Sequence, residues 1–115
     1  MARQSAVSKT RRADVRRPVH IHARLVGHDH RCSAIVLDYS TNGLRLIDTF
    51  AIGIGERVTI DLLTGHRLPV VVTWVVGSQV GVRFVGPIAP GHPALLALDA
   101  AAERYKRVHL ATEGT

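Results

Sequence analysis

Apolar and polar residues alternate along much of the chain, and this pattern predicts strands. The segment 19–26 alternates for most of its length, as expected for a half-buried strand. Turn-prone residues such as Gly27 and Gly77 separate the alternating segments. Strands are predicted at 19–26, 31–38, 44–47, 57–63, 68–76 and 80–85. Six short strands with tight turns are typical of an all-β fold, an antiparallel barrel that hides its edges by closing.

A helical period replaces the alternation after residue 91. Apolar and aromatic residues recur at the spacing of one helix face, and Pro93 suits a first helical turn. The positions on this face are Leu95, Leu98, Ala102, Tyr105 and His109. We expect one C-terminal α-helix that packs on the barrel. Near its end, Arg104, Lys106 and Arg107 would favour the helix dipole.

Length and composition allow one folded domain. The chain has 115 residues, of which 46% are hydrophobic and 21% charged, enough for a single modest core. Its net charge of +6 is concentrated in residues 1–17, which carry six cations and one carboxylate, Asp14. Such a segment attracts polyanions and lacks apolar anchors, so we expect a flexible basic N-terminal arm.

Several classes of site and location are disfavoured. No apolar run is long enough to span a bilayer, and no signal-peptide pattern is present, so we expect no membrane insertion and a cytoplasmic location. The single Cys32 allows neither an internal disulfide nor a Cys-x-x-Cys metal site. His20, His22 and His30 could meet on neighbouring strands. No cysteine pair or carboxylate cluster accompanies them, so surface histidines are favoured over a metal site.

The sequence gives little support to catalysis. Ser40 has no identifiable base, and the Gly-x-Ser-x-Gly elbow of hydrolases is absent. Asp38 is the only acidic residue near it, so the paired carboxylates of acid–base catalysis are missing as well. We therefore expect a binding protein without a cofactor, and not an enzyme.

Two short motifs carry the chemistry needed for an anionic, guanine-containing ligand. Arg12 and Arg16 are spaced as Arg-x-x-x-Arg, and their guanidinium groups can bind phosphate or the O6/N7 edge of guanine in bidentate fashion. Asp38, Ser40 and Gly43 are spaced as Asp-x-Ser-x-x-Gly on an expected loop at a strand end. The carboxylate can accept hydrogen bonds from guanine N1–H and N2–H₂, which a cation cannot do. Glycine permits a positive φ or a close approach to a ligand.

The order and spacing of these motifs resemble the signature of PilZ domains, the bacterial receptors of cyclic di-GMP. A third segment, 72–84, is similar to the closing hairpin of that family and ends in Gly-Val-Arg-Phe. The resemblance covers about residues 11–109. It implies a six-stranded PilZ-like barrel in that range. We expect the flanking residues to form a disordered basic arm at 1–10 and a flexible tail at 110–115.

The resemblance also implies a binding site for cyclic di-GMP. Its residues are Arg11, Arg12, Arg16, Asp38, Ser40 and Gly43. The ligand would draw the arm onto the barrel, so that ordering of the arm acts as a switch. Because cyclic di-GMP can form an intercalated dimer, and Arg11 can stack on a purine or pair with a phosphate, we expect two ligand molecules per chain. The output would pass to a downstream protein partner in bacterial motility, adhesion or exopolysaccharide machinery.

Alternatives remain at the level of the sequence. A small basic barrel could bind nucleic acid through its arm, although such barrels usually expose aromatic residues and this chain has only five. A ligand-free PilZ adaptor could keep the fold and bind a protein alone. Asp38 and Ser40 could simply order a turn, and Gly43 could be a turn glycine. Trp74 could stack a base, although alternation favours the barrel core or the barrel–helix seam.

Overall fold

A computed structural model describes residues 15–28, 31–47, 52–62 and 65–113 of the chain. Within these residues it contains six strands and one helix. The strands are β1 Arg17–Val26, β2 Arg31–Tyr39, β3 Gly43–Ile47, β4 Arg57–Asp61, β5 Arg67–Val76 and β6 Gln79–Phe84, and the helix is α1 Pro93–Glu113. The predicted order is confirmed, and no strand end differs from its predicted position by more than two residues. The expected arm at 1–10 lies outside the described residues, whereas Arg16 and Arg17, at the end of the basic segment 1–17, form ion pairs with Asp38 and Asp99.

The strands form a closed antiparallel barrel in the order β1-β2-β3-β6-β5-β4. The barrel closes where β4 pairs with β1, with Leu25 opposite Ile60. Alternate side chains of the strands fill the interior, among them Leu25, Leu46, Ile60 and Val70, which are fully buried. Burying one such aliphatic side chain contributes roughly 1.5–3 kcal/mol, so this interior is the main source of stability.

Helix α1 covers one side of the barrel, where it packs against β1. Its buried residues include Ala94, Leu98 and Ala102. His92 precedes the helix, and its Nδ1 accepts a hydrogen bond from the Ala94 N–H at 3.1 Å. The imidazole thus takes the capping role that serine, threonine or aspartate usually has.

The second half of α1 differs from its predicted packing. Tyr105 is half-buried and His109 is exposed, and the two rings stack on each other with centroids 3.8 Å apart. Among the helix residues whose burial is described, 93–109, Ala102 is the last buried one. The helix continues to Glu113 with no basic residue in its last turn, so the predicted contribution of Arg107 and its neighbours to the helix dipole is wrong.

A β-bulge in β5 places Trp74 on the outside of the barrel. Val70 and Val72 are buried, so strict alternation would point Trp74 into the core. The register of β5 against β6 shifts between Val72 and Trp74, which leaves Thr73 as an extra residue and reverses the direction of the next side chain. Trp74 is 37% exposed and lies beside β6, so its predicted core or seam position is wrong.

Candidate functional site

Asp38 also faces outward because of a β-bulge. The register of β2 against β3 shifts between Val36 and Asp38, so Val36 is buried in the core whereas Asp38 lies opposite Arg45 on the outer surface. Asp38 belongs to β2, and the predicted loop position applies only to residues 40–42 of the motif. A strand holds this carboxylate in place more firmly than a loop would.

The Asp38 carboxylate holds two arginines at once. Its Oδ1 accepts a hydrogen bond from Nε of Arg16 at 2.6 Å, and its Oδ2 accepts one from Nε of Arg45 at 2.7 Å. The Asp38 side chain is only 13% exposed, and those of Arg16 and Arg45 are 37% and 40% exposed. Charge-assisted hydrogen bonds of this length fix both guanidinium groups. We call Arg16, Asp38 and Arg45 the clasp.

The clasp forms one wall of a cavity of about 460 Å³ on the outer surface of the barrel. Small-molecule sites have volumes of roughly 300–1,000 Å³, so the size of this cavity is typical of such sites. The remaining walls are formed by Asn42, Gly43, Leu44, Thr73, Trp74, Gly81, Val82 and Arg83. With three arginines and one carboxylate, the lining is positively charged and suits an anion.

Trp74 contributes an aromatic wall to this cavity. It lies opposite Gly81 in the β5–β6 ladder, and a Cβ on Gly81 would overlap the indole ring. The absence of a side chain at position 81 therefore lets the indole pack directly on β6. The exposed part of the ring offers a surface on which a planar base could stack.

Gly43 is needed because β6 approaches closely, and not because of a turn. It has no positive φ, so its interpretation as a turn glycine is wrong. A Cβ at this position would overlap the carbonyl oxygen of Val82 and come within 3.0 Å of the Cα of Arg83. Both atoms belong to the backbone of the paired strand and cannot move aside easily.

Ser40 orders the short loop between β2 and β3. Its side chain is buried, and its Oγ accepts hydrogen bonds from the Asn42 N–H at 3.1 Å and from Nη1 of Arg16 at 3.5 Å. The Ser40 N–H donates to the carbonyl oxygen of Gly43 at 2.9 Å. Ser40 therefore orders the turn, as the sequence allows, and its hydroxyl oxygen also helps to position the Arg16 guanidinium group.

Comparison with protein families agrees with this geometry. A family model of the PilZ domain matches residues 10–98, a range that includes both motifs and most of the chain. This chain belongs to the PilZ domain family. PilZ domains are binding or adaptor domains and not enzymes, and the family is known to bind cyclic di-GMP. No curated protein gives a significant match to this PilZ domain.

The PilZ domain brings part of the predicted site together. Arg16, Asp38 and Gly43 line the cavity, and Ser40 lies behind it. Arg11 and Arg12 lie outside the described residues.

The sequence did not assign Arg45 or Arg83 to the site, and for Trp74 it favoured a core or seam position over base stacking. For Arg45 a signal exists, because it lies between the inward-facing Leu44 and Leu46 and must therefore point outward. Its partner depends on the bulge in β2, which the alternation does not reveal.

A second charged cluster ties the start of β1 to α1. Arg17 donates from Nη1 to Asp99 at 3.1 Å and from Nη2 to Glu103 at 2.8 Å. The Tyr39 hydroxyl donates to Asp99 and accepts from Arg17 at 3.2 Å. Burial, followed by the hydrogen bond to Asp99, raises the pKa of Tyr39 and keeps it protonated as a donor. The neighbouring residues Arg16 and Arg17 thus contact the cavity and the helix, respectively.

The described residues include no group of three histidine, cysteine or acidic side chains that could hold a metal ion. His20 and His22 contact each other edge to face, with ring centroids 5.7 Å apart, and His30 lies outside the described residues. In the same part of the chain, no helix is both long and apolar enough to cross a membrane.

Proposed function

We propose that this PilZ domain is a receptor for cyclic di-GMP and binds it in the cavity beside the clasp. The observation that carries the proposal is the clasp itself, in which one carboxylate fixes two guanidinium groups next to an exposed indole. Cyclic di-GMP has two phosphates and two guanines, so it needs cations, an acceptor for the guanine N–H edge and aromatic surfaces. Arg16 and Arg45 would supply the cations, and Asp38 would accept the hydrogen bonds of the guanine edge. Trp74 would supply the aromatic surface.

Binding through Asp38 requires one side of the clasp to open. Each carboxylate oxygen keeps a second lone pair, but the Asp38 side chain is only 13% exposed with a guanidinium group on each oxygen, so a guanine edge can reach both oxygens only when one arginine moves aside. Arg16 is the more movable of the two, because it precedes β1, whereas Arg45 lies within β3 between two paired strands. The released guanidinium then binds phosphate, and one charge-assisted hydrogen bond replaces another.

The same movement would transmit the signal. Arg17 follows Arg16 directly and holds Asp99 and Glu103 of α1, so a displacement of Arg16 acts on the helix contacts through one peptide unit. Arg11 and Arg12 would add phosphate contacts from the arm, and ordering of the arm would accompany binding. We further propose that a separate protein partner in the bacterial cytoplasm receives this change, in motility or exopolysaccharide regulation.

Trp74 provides a direct test, because it is the only tryptophan in the chain. Titration with cyclic di-GMP should change Trp74 fluorescence along a saturable curve, and calorimetry should give the same affinity. GTP and a short single-stranded oligonucleotide serve as controls and should bind far more weakly. The proposal is rejected if cyclic di-GMP leaves both the fluorescence and the heat signal unchanged.

Asp38→Ala distinguishes a guanine-binding site from simple attraction of polyanions. We expect the variant to bind cyclic di-GMP more weakly by at least about tenfold, because a hydrogen bond to a charged group is worth roughly 1.5–3 kcal/mol and each 1.4 kcal/mol is about tenfold in affinity. A purely electrostatic binder would instead bind its anion more tightly once the negative charge is removed. Calorimetry on Asp61→Ala, which removes an equal charge from another part of the barrel, is the matched control. Tighter binding by Asp38→Ala would favour the nucleic-acid alternative.

Stoichiometry tests the proposed role of Arg11. We expect the wild-type protein to bind two molecules of cyclic di-GMP per chain, because Arg11 can stack on a purine or pair with a phosphate of the second molecule. Replacing Arg11 with leucine should lower the calorimetric ratio towards one without abolishing binding. A wild-type ratio of one that Arg11→Leu leaves unchanged would show that Arg11 has no such role.

A further inference from the structure

A group of arginines covers the side of the barrel opposite the cavity. The cavity lies over β3 and β6, and in the closed strand order β1 and β4 are on the far side. The outward positions of these strands and of the first halves of β2 and β5 carry exposed arginines. They are Arg24, Arg31, Arg57 and Arg67, which we call the arginine face. No ligand contact that we propose above involves any of them.

The strand registers place three of these arginines around a small depression. Arg24 on β1 is opposite Asp61 on β4, and Asp61 is in turn opposite Arg67 on β5. One row further along, Val26 lies between Arg31 and Thr59. These six residues line a cavity of about 160 Å³. Neighbouring strands are about 4.8 Å apart, so the three guanidinium groups can reach one bound group together.

The arginine face carries an excess of positive charge. Asp61 is the one carboxylate among the described outward-facing residues of these strand segments. It is 17% exposed, and its Oδ2 is 3.8 Å from Nε of Arg67, whose side chain is 75% exposed. One carboxylate cannot neutralise four arginines. Arg24 on β1 and Arg31 on β2 are diagonal neighbours across the ladder, so an incoming anion between them is favoured.

We propose that the arginine face is a docking surface for an acidic segment of a separate protein, with a glutamate or aspartate side chain of that protein in the small cavity. Its volume is below the roughly 300–1,000 Å³ of nucleotide-sized sites, so it suits a single side chain. The described positively charged residues of the arginine face are all arginines. The apolar residues Val26, Pro69 and Val71 occupy outward positions among them. Arginine interspersed with apolar residues is typical of protein interfaces.

Two other occupants are less compatible with the chain. A second copy offers few acidic residues, because the chain has nine against 15 lysines and arginines, and Asp38, Asp99 and Glu103 already bind arginines. Single-stranded nucleic acid binds through stacking on aromatic rings. The described outward positions of the arginine face include no phenylalanine, tyrosine or tryptophan.

The test uses the full chain, labelled with ¹⁵N, and a short synthetic peptide of alternating glutamate and valine. Addition of the peptide at physiological salt should shift the amide signals of β1, β4 and the start of β5 in a saturable manner. Arg24→Glu combined with Arg67→Glu should weaken peptide binding at least roughly tenfold, because like charges brought together at an interface cost several kcal/mol. Arg31→Gln is a milder change and should weaken peptide binding less. This variant tests the proposal if the double variant fails to fold.

The control and the competing ligands decide the interpretation. Arg104→Glu combined with Arg107→Glu changes the net charge equally on exposed positions of α1 and should leave peptide binding nearly unchanged. Equal weakening by this control, or shifts centred on Arg16 and Arg45, would overturn the proposal. The proposal would also be overturned if a DNA duplex bound to the same strands more tightly than the peptide does. It would likewise be overturned if the wild-type chain self-associates and the Arg24 and Arg67 changes make it monomeric. None of these results depends on whether cyclic di-GMP binds.

Discussion

Replacing Arg16 with alanine should lower the affinity for cyclic di-GMP at least roughly tenfold, the loss expected when a charge-assisted, bidentate contact is removed. Arg16 reaches both Asp38 and Ser40 and lines the cavity, so no neighbouring side chain can take its geometry. The stability of the fold should change by less than about 1 kcal/mol, because the Arg16 side chain is more than one-third exposed and Asp38 retains Arg45. Calorimetry measures the affinity, and chemical denaturation measures the stability.

Arg104→Ala provides the matched control for this result. Arg104 is an exposed arginine on α1 that does not line the cavity, and its loss changes the net charge by the same amount. Its affinity should stay close to that of the wild type. If Arg16→Ala binds as well as this control does, the clasp takes no part in binding and the proposed opening of the clasp is wrong.

The second large effect is expected in stability. Gly43→Ala should lower the free energy of unfolding by about 3 kcal/mol or more, the upper range for forcing additional atoms into a packed site. The new methyl group would overlap the carbonyl oxygen of Val82, and β3 and β6 would have to separate where Gly43 pairs with Arg83. Failure to obtain soluble, folded protein would agree with this expectation. Urea denaturation followed by circular dichroism gives the value when the variant folds.

Gly53→Ala is the control, because a Cβ at Gly53 would meet no atom within 4 Å and its φ is not positive. Its free energy of unfolding should change by less than about 1 kcal/mol. Similar stabilities for the two variants would mean that β3 and β6 can separate without cost, and that Gly43 is retained for another reason.

The strands and the helix could be predicted because each has a regular period. Alternation identifies Leu25 and Val70 as inward-facing, and both are fully buried. The same rule fails at Trp74, since a bulge depends on how two strands pair and not on the pattern within one of them. Tyr105 and His109 keep the helical spacing but are only half-buried and exposed, respectively, because they line a cavity with Arg17 and Pro18 and do not pack tightly there. A helical period does not show how closely the neighbouring surface packs.

The candidate site can be predicted from the sequence only in part, for a related reason. Arg16 and Asp38 were recognised from their motifs, and the structure joins them by a hydrogen bond. Arg45 has no motif of its own and becomes part of the site only through the register of β3 against β2. Arg17 has the same side-chain chemistry as Arg16. Only the position of α1 shows that it contacts the helix and not the cavity.

The closure of the barrel restricts how any macromolecule can recognise this protein. Many sheet proteins capture an extended peptide by adding it as a further strand, and main-chain hydrogen bonds then give affinity with little dependence on side chains. In the described barrel, residues 24–26 of β1 pair with residues 59–61 of β4, so the backbone groups that such a peptide needs are already occupied at this seam. Recognition at the seam must therefore rely on side chains that project from the barrel wall. Single substitutions on that wall can redirect the protein to a new target while the hydrogen-bonded ladder beneath stays the same.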